Sequence, residues 1–158
     1  MVSIMKFVYS LVGLALITSS PWSLGATTDK ARIESCIQSA ANFRGQNPKW
    51  LMAIAVQESG LNPNAVNRAN KNGSVDHGLF QINSAWLPKL ARHGITEQQL
   101  YDPCIAAYVA AWILAQEIDR HGPTWRAIGA YNSPTEANQK VYARRIQALY
   151  ASLMNDPR

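Results

Sequence analysis

The chain has 158 residues, with 15 Lys and Arg against 10 Asp and Glu and 47% hydrophobic side chains. That length holds one domain with a sizeable core, is too short for two ordinary ones, and contains no internal repeat or low-complexity tract. The formal net charge of +5 suits an anionic polymer, but no basic run exceeds Arg144-Arg145 and basic residues do not interleave with aromatic ones, which argues against nucleic acid as partner.

Lys6 is the only charge before Asp29. An apolar run from Phe7 to Ile17 follows it, then Ser, Pro and small residues as far as Leu24-Gly25-Ala26. This is the pattern of a signal peptide, and the run is too short to span a bilayer. Residues 1–26 are therefore expected to be removed on export, leaving 27–158 as one periplasmic domain; an uncleaved anchor is the alternative. Loss of Lys6 leaves 14 basic against 10 acidic side chains.

Asp29 to Phe43 reads as a helix, with Ile33, Cys36, Ile37 and Ala40 on one stripe. A second helix is signalled by Asn47 as N-cap and Pro48 at its first position. Within it Leu51, Ile54, Ala55 and Glu58 recur at i, i+3, i+4 and i+7, so an acid shares the stripe of three core residues. Gly60 suits the left-handed residue just past the helix end. Glu58 then lies in the last turn, where desolvation and the negative end of the helix dipole both raise a carboxyl pKa. A glutamic acid kept protonated near neutral pH is a general acid. The plainer reading is a solvated glutamate paired with a nearby Lys or Arg, and Glu58 alone does not decide between the two.

Leu61 to Gly78 changes character, with Asn62, Asn64, Asn67 and Asn70 ahead of Asn72-Gly73. Asn-Gly is a strong hairpin signal, so two very short strands about a turn are expected there. In Gly78-Leu79-Phe80-Gln81-Ile82-Asn83 the residues Leu79, Phe80 and Ile82 read as buried. Gln81 and Asn83 alternate with them and are expected to point together out of the core. Their amides donate and accept, which suits sugar hydroxyls and N-acetyl groups; equally, two amides can satisfy the backbone of a turn.

Ser84 is placed to cap a short helix ending at Arg92, before Gly94, and Thr96 to start another through Tyr101. The longest helix is expected after Asp102-Pro103 and before Gly122. Its apolar arc takes in Ile105, Tyr108, Val109, Trp112 and Ile113, with alanines filling in, so it runs through the middle of the domain. Thr124 caps a helix that contains Ala130-Tyr131-Asn132 and breaks at Ser133-Pro134. A last helix, about Thr135 to Met154, is expected to turn Val141, Ile146, Leu149, Tyr150 and Leu153 inward. The fold class is mainly α: a helical bundle around a central apolar helix, with a small β-hairpin region. Cys36 and Cys104 make an even count in an exported chain, which argues for a disulfide. Two cysteines so far apart make no zinc site, and a Cys/His pair with His77 or His93 has no local support. No metal or cofactor is expected.

In this order and at these spacings, Glu58-Ser59-Gly60, Gly78 to Asn83 and Ala130-Tyr131-Asn132 resemble the soluble lytic transglycosylase family, which has a lysozyme-like α+β domain. The likeness runs from about Cys36 to Leu153. It is nearest to the small exported branch that accompanies type III secretion, conjugation and type IV pilus machines. Each motif alone is weak; the ordered set is specific. The cysteines, with Asp102-Pro103-Cys104, also resemble that branch's disulfide. The resemblance implies Glu58 as catalytic acid, Gln81 as the glutamine that holds the sugar and Tyr131 as the tyrosine whose hydroxyl faces the acid. Asn83 and Asn132 stand beside these as substrate-binding candidates. Asn67 occupies a position where many members have a serine that orients the acid, and Phe80 one where methionine is usual.

What the resemblance implies chemically is cleavage of the β-1,4 bond between N-acetylmuramic acid and N-acetylglucosamine in peptidoglycan strands. Glu58 protonates the leaving oxygen, then removes a proton from the muramic C6 hydroxyl. That hydroxyl attacks its own anomeric carbon and gives a 1,6-anhydro product without water. The implied partners are glycan strands and components of an envelope-spanning machine. Asp76, however, lies in a segment that also resembles the second-carboxylate region of animal-type lysozymes, which hydrolyse the same bond with a carboxyl pair. The secretion-associated branch commonly carries an aspartate here too. Hydrolysis by Glu58 and Asp76 is therefore the alternative, while an intact Glu58 argues against a purely binding or scaffolding role.

Overall fold

The structure, a computed structural model, describes residues 22–155, with side chains from Asp29 onward. The expected signal peptide lies outside the described residues as far as position 21. Six α-helices are present among the described residues: α1 (Trp22–Phe43), α2 (Pro48–Ser59), α3 (Leu87–Ala91), α4 (Pro103–His121), α5 (Trp125–Asn132) and α6 (Glu136–Asn155). Short 3-10 turns at Ser84–Trp86 and Gln98–Tyr101 precede α3 and α4. Three two-residue strands, β1 (Val66–Asn67), β2 (Asp76–His77) and β3 (Ile82–Asn83), form one antiparallel sheet in the order β1-β2-β3. The expected mainly helical bundle with a small β region is what forms. None of the described helices is long and apolar enough to cross a membrane.

The capping signals work as residue chemistry requires. Asn47 accepts from the Lys49 amide at the start of α2, and Gly60 closes it with φ 62° and ψ 32°. Asp102 accepts from the amides of Cys104 and Ile105 at the start of α4. Its carboxyl is held below the ordinary aspartate range by the Ile105 amide first, with smaller contributions from Arg32 and the Cys104 amide. Arg32 of α1 pairs with the same carboxylate at 2.6 Å. The Cys36–Cys104 disulfide joins the same two helices.

Helix α4 packs against α1, α5 and α2, which makes it the central helix expected. Its deepest face differs from the expected one. Ala106, Ala107, Ala110, Ala111 and Leu114 are fully buried, while Tyr108 is 41% exposed. Small side chains let the neighbouring helices approach closely, so the alanines take the interior and the bulkier Ile105, Tyr108 and Trp112 are left towards a groove on the outer side.

Helix α6 runs antiparallel along α2. Asn47 donates to the Tyr150 hydroxyl and Lys49 to the Leu153 carbonyl at one end, while Tyr142 donates to Glu58 at the other. Trp125 of α5 stacks edgewise between Trp50 of α2 and Tyr150 of α6, with ring centroids 6.0 and 5.6 Å apart. Val141 is not inward as expected: it is 50% exposed, and Tyr142 beside it is 5% exposed. The buried residues of α6, Gln139, Tyr142, Ala143 and Ile146, are spaced i, i+3, i+4 and i+7, so Val141 falls off the stripe.

The β region also departs from expectation. Asn72-Gly73 forms no tight two-strand hairpin; it sits at the tip of an eight-residue connection between β1 and β2. There Asn72 accepts from its neighbour's backbone at Ser74, a local bond that competes with strand pairing. The tight turn lies instead between β2 and β3, inside the Gly78–Asn83 motif. Ser84 does not cap the helix after it. Asn83 does, accepting from the Ala85 amide.

Candidate active site

All three motifs meet at the turn from Gly78 to Gln81. Gly78 has φ +69°, and a Cβ there would lie 2.2 Å from the Leu100 carbonyl oxygen, so only glycine fits. Gln81 is also left-handed, at φ 46°. The turn is held from three directions. Ser59, next to Glu58, donates to the Leu79 carbonyl at 2.7 Å. Tyr131 of α5 donates to the Phe80 carbonyl at 3.3 Å. The Gly78 amide donates to Ala65 at 2.8 Å. Leu79 and Phe80 themselves are fully buried and anchor the turn in the core. Two hydroxyls on different helices thus bind the carbonyls of one turn, and this brings the end of α2 and α5 to the β sheet.

The result is a cleft of about 410 Å³ with Glu58 and Tyr131 on the helical side and Asp76, Gln81, Asn83 and Asn70 on the β side. Trp86, Ile113 and Asn132 also reach it. Glu58 is raised from an ordinary carboxyl value of 4.5 to about 7. Burial is the main cause; the hydrogen bond from Tyr142 works against it, and the negative charge of Asp76 adds to it. Near neutral pH the group therefore exists in both protonation states, which is what a residue that first gives and then takes a proton requires. Burial, and the Glu58 charge after it, push the Tyr131 hydroxyl well above the usual tyrosine range, so it stays a donor. The same two causes, in the same order, raise Tyr142.

Asp76 has a different setting. Its Oδ2 accepts from the amides of Asn67 and Asn70, both at 2.9 Å, and its Oδ1 from Asn83 at 2.7 Å. Three amide donors thus converge on one carboxylate and engage both of its oxygens. Asn67 is thereby placed behind Asp76, and none of its hydrogen bonds is to Glu58. The side chain that hydrogen-bonds Glu58 is Tyr142, whose hydroxyl donates to Oε1 at 2.5 Å. Tyr131, expected to face the acid, shares the cleft wall with Glu58 and feels its charge, while its hydroxyl donates to the Phe80 carbonyl.

The amides expected to meet substrate are partly committed to the protein. Asn83 gives its Nδ2 to Asp76 and Ser74 and its Oδ1 to the Ala85 amide, so it is a clamp on the β region. Gln81 donates through Nε2 to Gly78 and Ala65, leaving its Oε1 as an acceptor on the cleft wall. Asn132 is exposed and borders the cleft. Sequence reading missed Tyr142, Asn70 and Trp86. Tyr142 had a usable signal, since Tyr142, Ile146, Leu149 and Leu153 form an unbroken helical stripe to which Val141 does not belong. Asn70 and Trp86 had none, because loop and 3-10 geometry carry no period. Among the described residues no group of three or more His, Cys, Asp or Glu is placed to hold a metal.

Comparison with known proteins agrees with this geometry. The family model described as "Transglycosylase SLT domain" matches residues 35–151. Invasion protein IagB of Salmonella typhimurium (strain SL1344) is 39% identical over 137 residues, covering 84% of this chain and 83% of the relative. Protein IpgF of Shigella flexneri is 36% identical over 118 residues, covering 68% and 77%. A peptidoglycan-binding-like protein of Escherichia coli O157:H7 is 34% identical over 130 residues, covering 75% and 78%. The matched span takes in the acid on α2, the turn it is tied to and the tyrosine that ties them. The chain therefore belongs to the transglycosylase SLT domain family, glycan-cleaving enzymes whose substrate, peptidoglycan, lies outside the cytoplasm.

Proposed function

We propose that the protein is a lytic transglycosylase that cuts the β-1,4 bond between N-acetylmuramic acid and N-acetylglucosamine and leaves a 1,6-anhydromuramic end. Protonated Glu58 gives its proton to the glycosidic oxygen, and the bond to the muramic anomeric carbon breaks. The carboxylate so formed removes the proton of the muramic C6 hydroxyl, whose oxygen bonds to the anomeric carbon. Glu58 ends protonated, and no water is consumed. Tyr142 orients the acid throughout. Gln81 and Asn132 line the wall that receives the sugars.

The observation that carries this reading is the burial of Glu58, which raises its pKa to about 7 so that one carboxyl group can both give and take a proton. Both oxygens of Asp76 are occupied by amide donors. Its place is to supply fixed negative charge to a cation-like transition state across the cleft. A retaining hydrolase would need the second carboxylate free to attack carbon. Supporting a cellular role, one relative bears the name invasion protein. We assign this chain to the periplasm, where it opens the wall locally for a secretion, conjugation or pilus machine.

Mass analysis of muropeptides released from purified peptidoglycan tests the chemistry. Products ending in 1,6-anhydromuramic acid, one water lighter than hydrolytic ones, are expected. A digest dominated by reducing-end muramic acid would overturn the proposal in favour of hydrolysis by Glu58 and Asp76.

A further inference from the structure

The cleft that holds Asp76 is not the only opening onto Glu58. A second cavity of about 270 Å³ lies on the α6 side of the acid, with Gln57, Asn138, Val141 and Arg145 in its walls. Glu58 and Asn132 border both spaces. A linear polymer cut at Glu58 must leave the acid in two directions, and the Asp76 cleft accounts for one of them.

The two spaces differ in charge. The ionisable walls of the Asp76 cleft are Glu58, Asp76 and Tyr131, with no cation among them. On the other side stands Arg145, which is exposed and enters none of the ion pairs among the described residues. Nor is Arg145 among the charges that shift Glu58, so its task is not to set the acid. A guanidinium without a protein partner, on the wall of a polar space, is a fork for a carboxylate. Val141 lies one helical turn before Arg145 in the same wall and is 50% exposed. Residues four apart on a helix stand about 6 Å from each other, so α6 presents an apolar and a cationic contact side by side. Gln57 and Asn138 add amide donors and acceptors.

We infer that this space is a second subsite of the glycan cleft, in which Arg145 binds a carboxylate carried on the side group of the seated sugar while Val141 meets an apolar part of that group. The inference rests on the glycan-cleaving reading above and adds to it a selection for acid-bearing over neutral glycans. The carboxylate has two sources, the lactyl group of muramic acid itself or the peptide stem attached to it.

The Glu58→Gln protein, expected to hold glycan without cutting it, allows both sources to be tested by calorimetric titration. The ligands are a muramic tetrasaccharide with stems, the same tetrasaccharide without stems, and neutral chitotetraose. Adding Arg145→Gln should weaken binding of an acid-bearing ligand about tenfold and change chitotetraose less than twofold, with Arg145→Lys recovering part of the loss. The loss should shrink as salt is raised, since the site is open to solvent. A loss on the stem-free ligand assigns the lactyl carboxylate; a loss on the stem-bearing ligand alone assigns the stem. Equal losses on all three ligands, or none on any, would overturn the inference and leave the glycan reading standing. Failure of Glu58→Gln to bind any of the three would overturn both.

Discussion

The two carboxyl groups of the cleft face each other from regions built on opposite plans. Glu58 rises from the last turn of α2 with a single side-chain hydrogen bond, from Tyr142, and its pKa is lifted chiefly by burial. Asp76 sits on β2 in a net of three asparagine amides. Under-solvation makes the first a carrier of protons, while three amide donors hold the second in place. Two chemically similar side chains are thus assigned different work by what surrounds them.

Removing the proton carrier should have the largest effect. Glu58→Gln keeps the size of the group but can neither give nor take an acidic proton, and turnover on peptidoglycan should fall by at least about 10³-fold. A variant that retains wild-type rate would remove Glu58 from the chemistry. The same substitution reads out the buried charge. With the folded pKa raised from 4.5 to about 7, Glu58 favours folding most at low pH, and that contribution is lost as pH rises through 7. Between pH 4.5 and 8, Glu58→Gln should therefore gain about 3 kcal/mol on the wild type, measured by denaturant unfolding.

Asp76→Asn should lower turnover by about tenfold, far less than Glu58→Gln, because the proton carrier remains. It also puts a donor where three donors already point, so the β region should lose about 2 kcal/mol of local stability. Hydrogen exchange at Asn67 to Asn83 would show it. A loss as large as that of Glu58→Gln would make Asp76 a reacting group.

Tyr142→Phe sharpens the comparison in the opposite direction. The tyrosine bond lowers the pKa of Glu58 and the Asp76 charge raises it. The alkaline limb of kcat/KM should therefore move to higher pH in Tyr142→Phe and to lower pH in Asp76→Asn, with a rate loss of a few-fold in the former. Limbs that move together would contradict the electrostatic account.

The smallest effect on turnover is expected far from both carboxyl groups. The double serine variant of Cys36 and Cys104 should cut glycan at the wild-type rate while losing about 4 kcal/mol of stability, by the chain-entropy estimate for so long a loop. A calorimetric scan beside an activity assay checks both halves.

Much of the helical framework was legible because its signals are local. Asn47-Pro48 and Gly60 bound α2, and Asp102-Pro103 and Gly122 bound α4, through capping groups that act within a few residues. The acid on the apolar stripe was visible for the same reason: Glu58 shares the 3.6-residue period of Leu51, Ile54 and Ala55. The order of the three motifs carried the family. What escaped was whatever depends on residues distant in the chain. No period tells that the turn after Gly78 is clamped by Ser59 and Tyr131, or that Asn67, Asn70 and Asn83 close around Asp76.

The sequence by itself determined which segments are helical, where each stops, and that an acid stands at the end of a buried helix, since backbone capping and side-chain periodicity are decided between near neighbours. Only the tertiary structure decided what that acid can do. The pKa of Glu58 is set by burial under elements far along the chain, by Tyr142 on the last helix and by Asp76 across the cleft. Desolvation and charge act through space, and the packing of α6 along α2 is what brings those groups within reach.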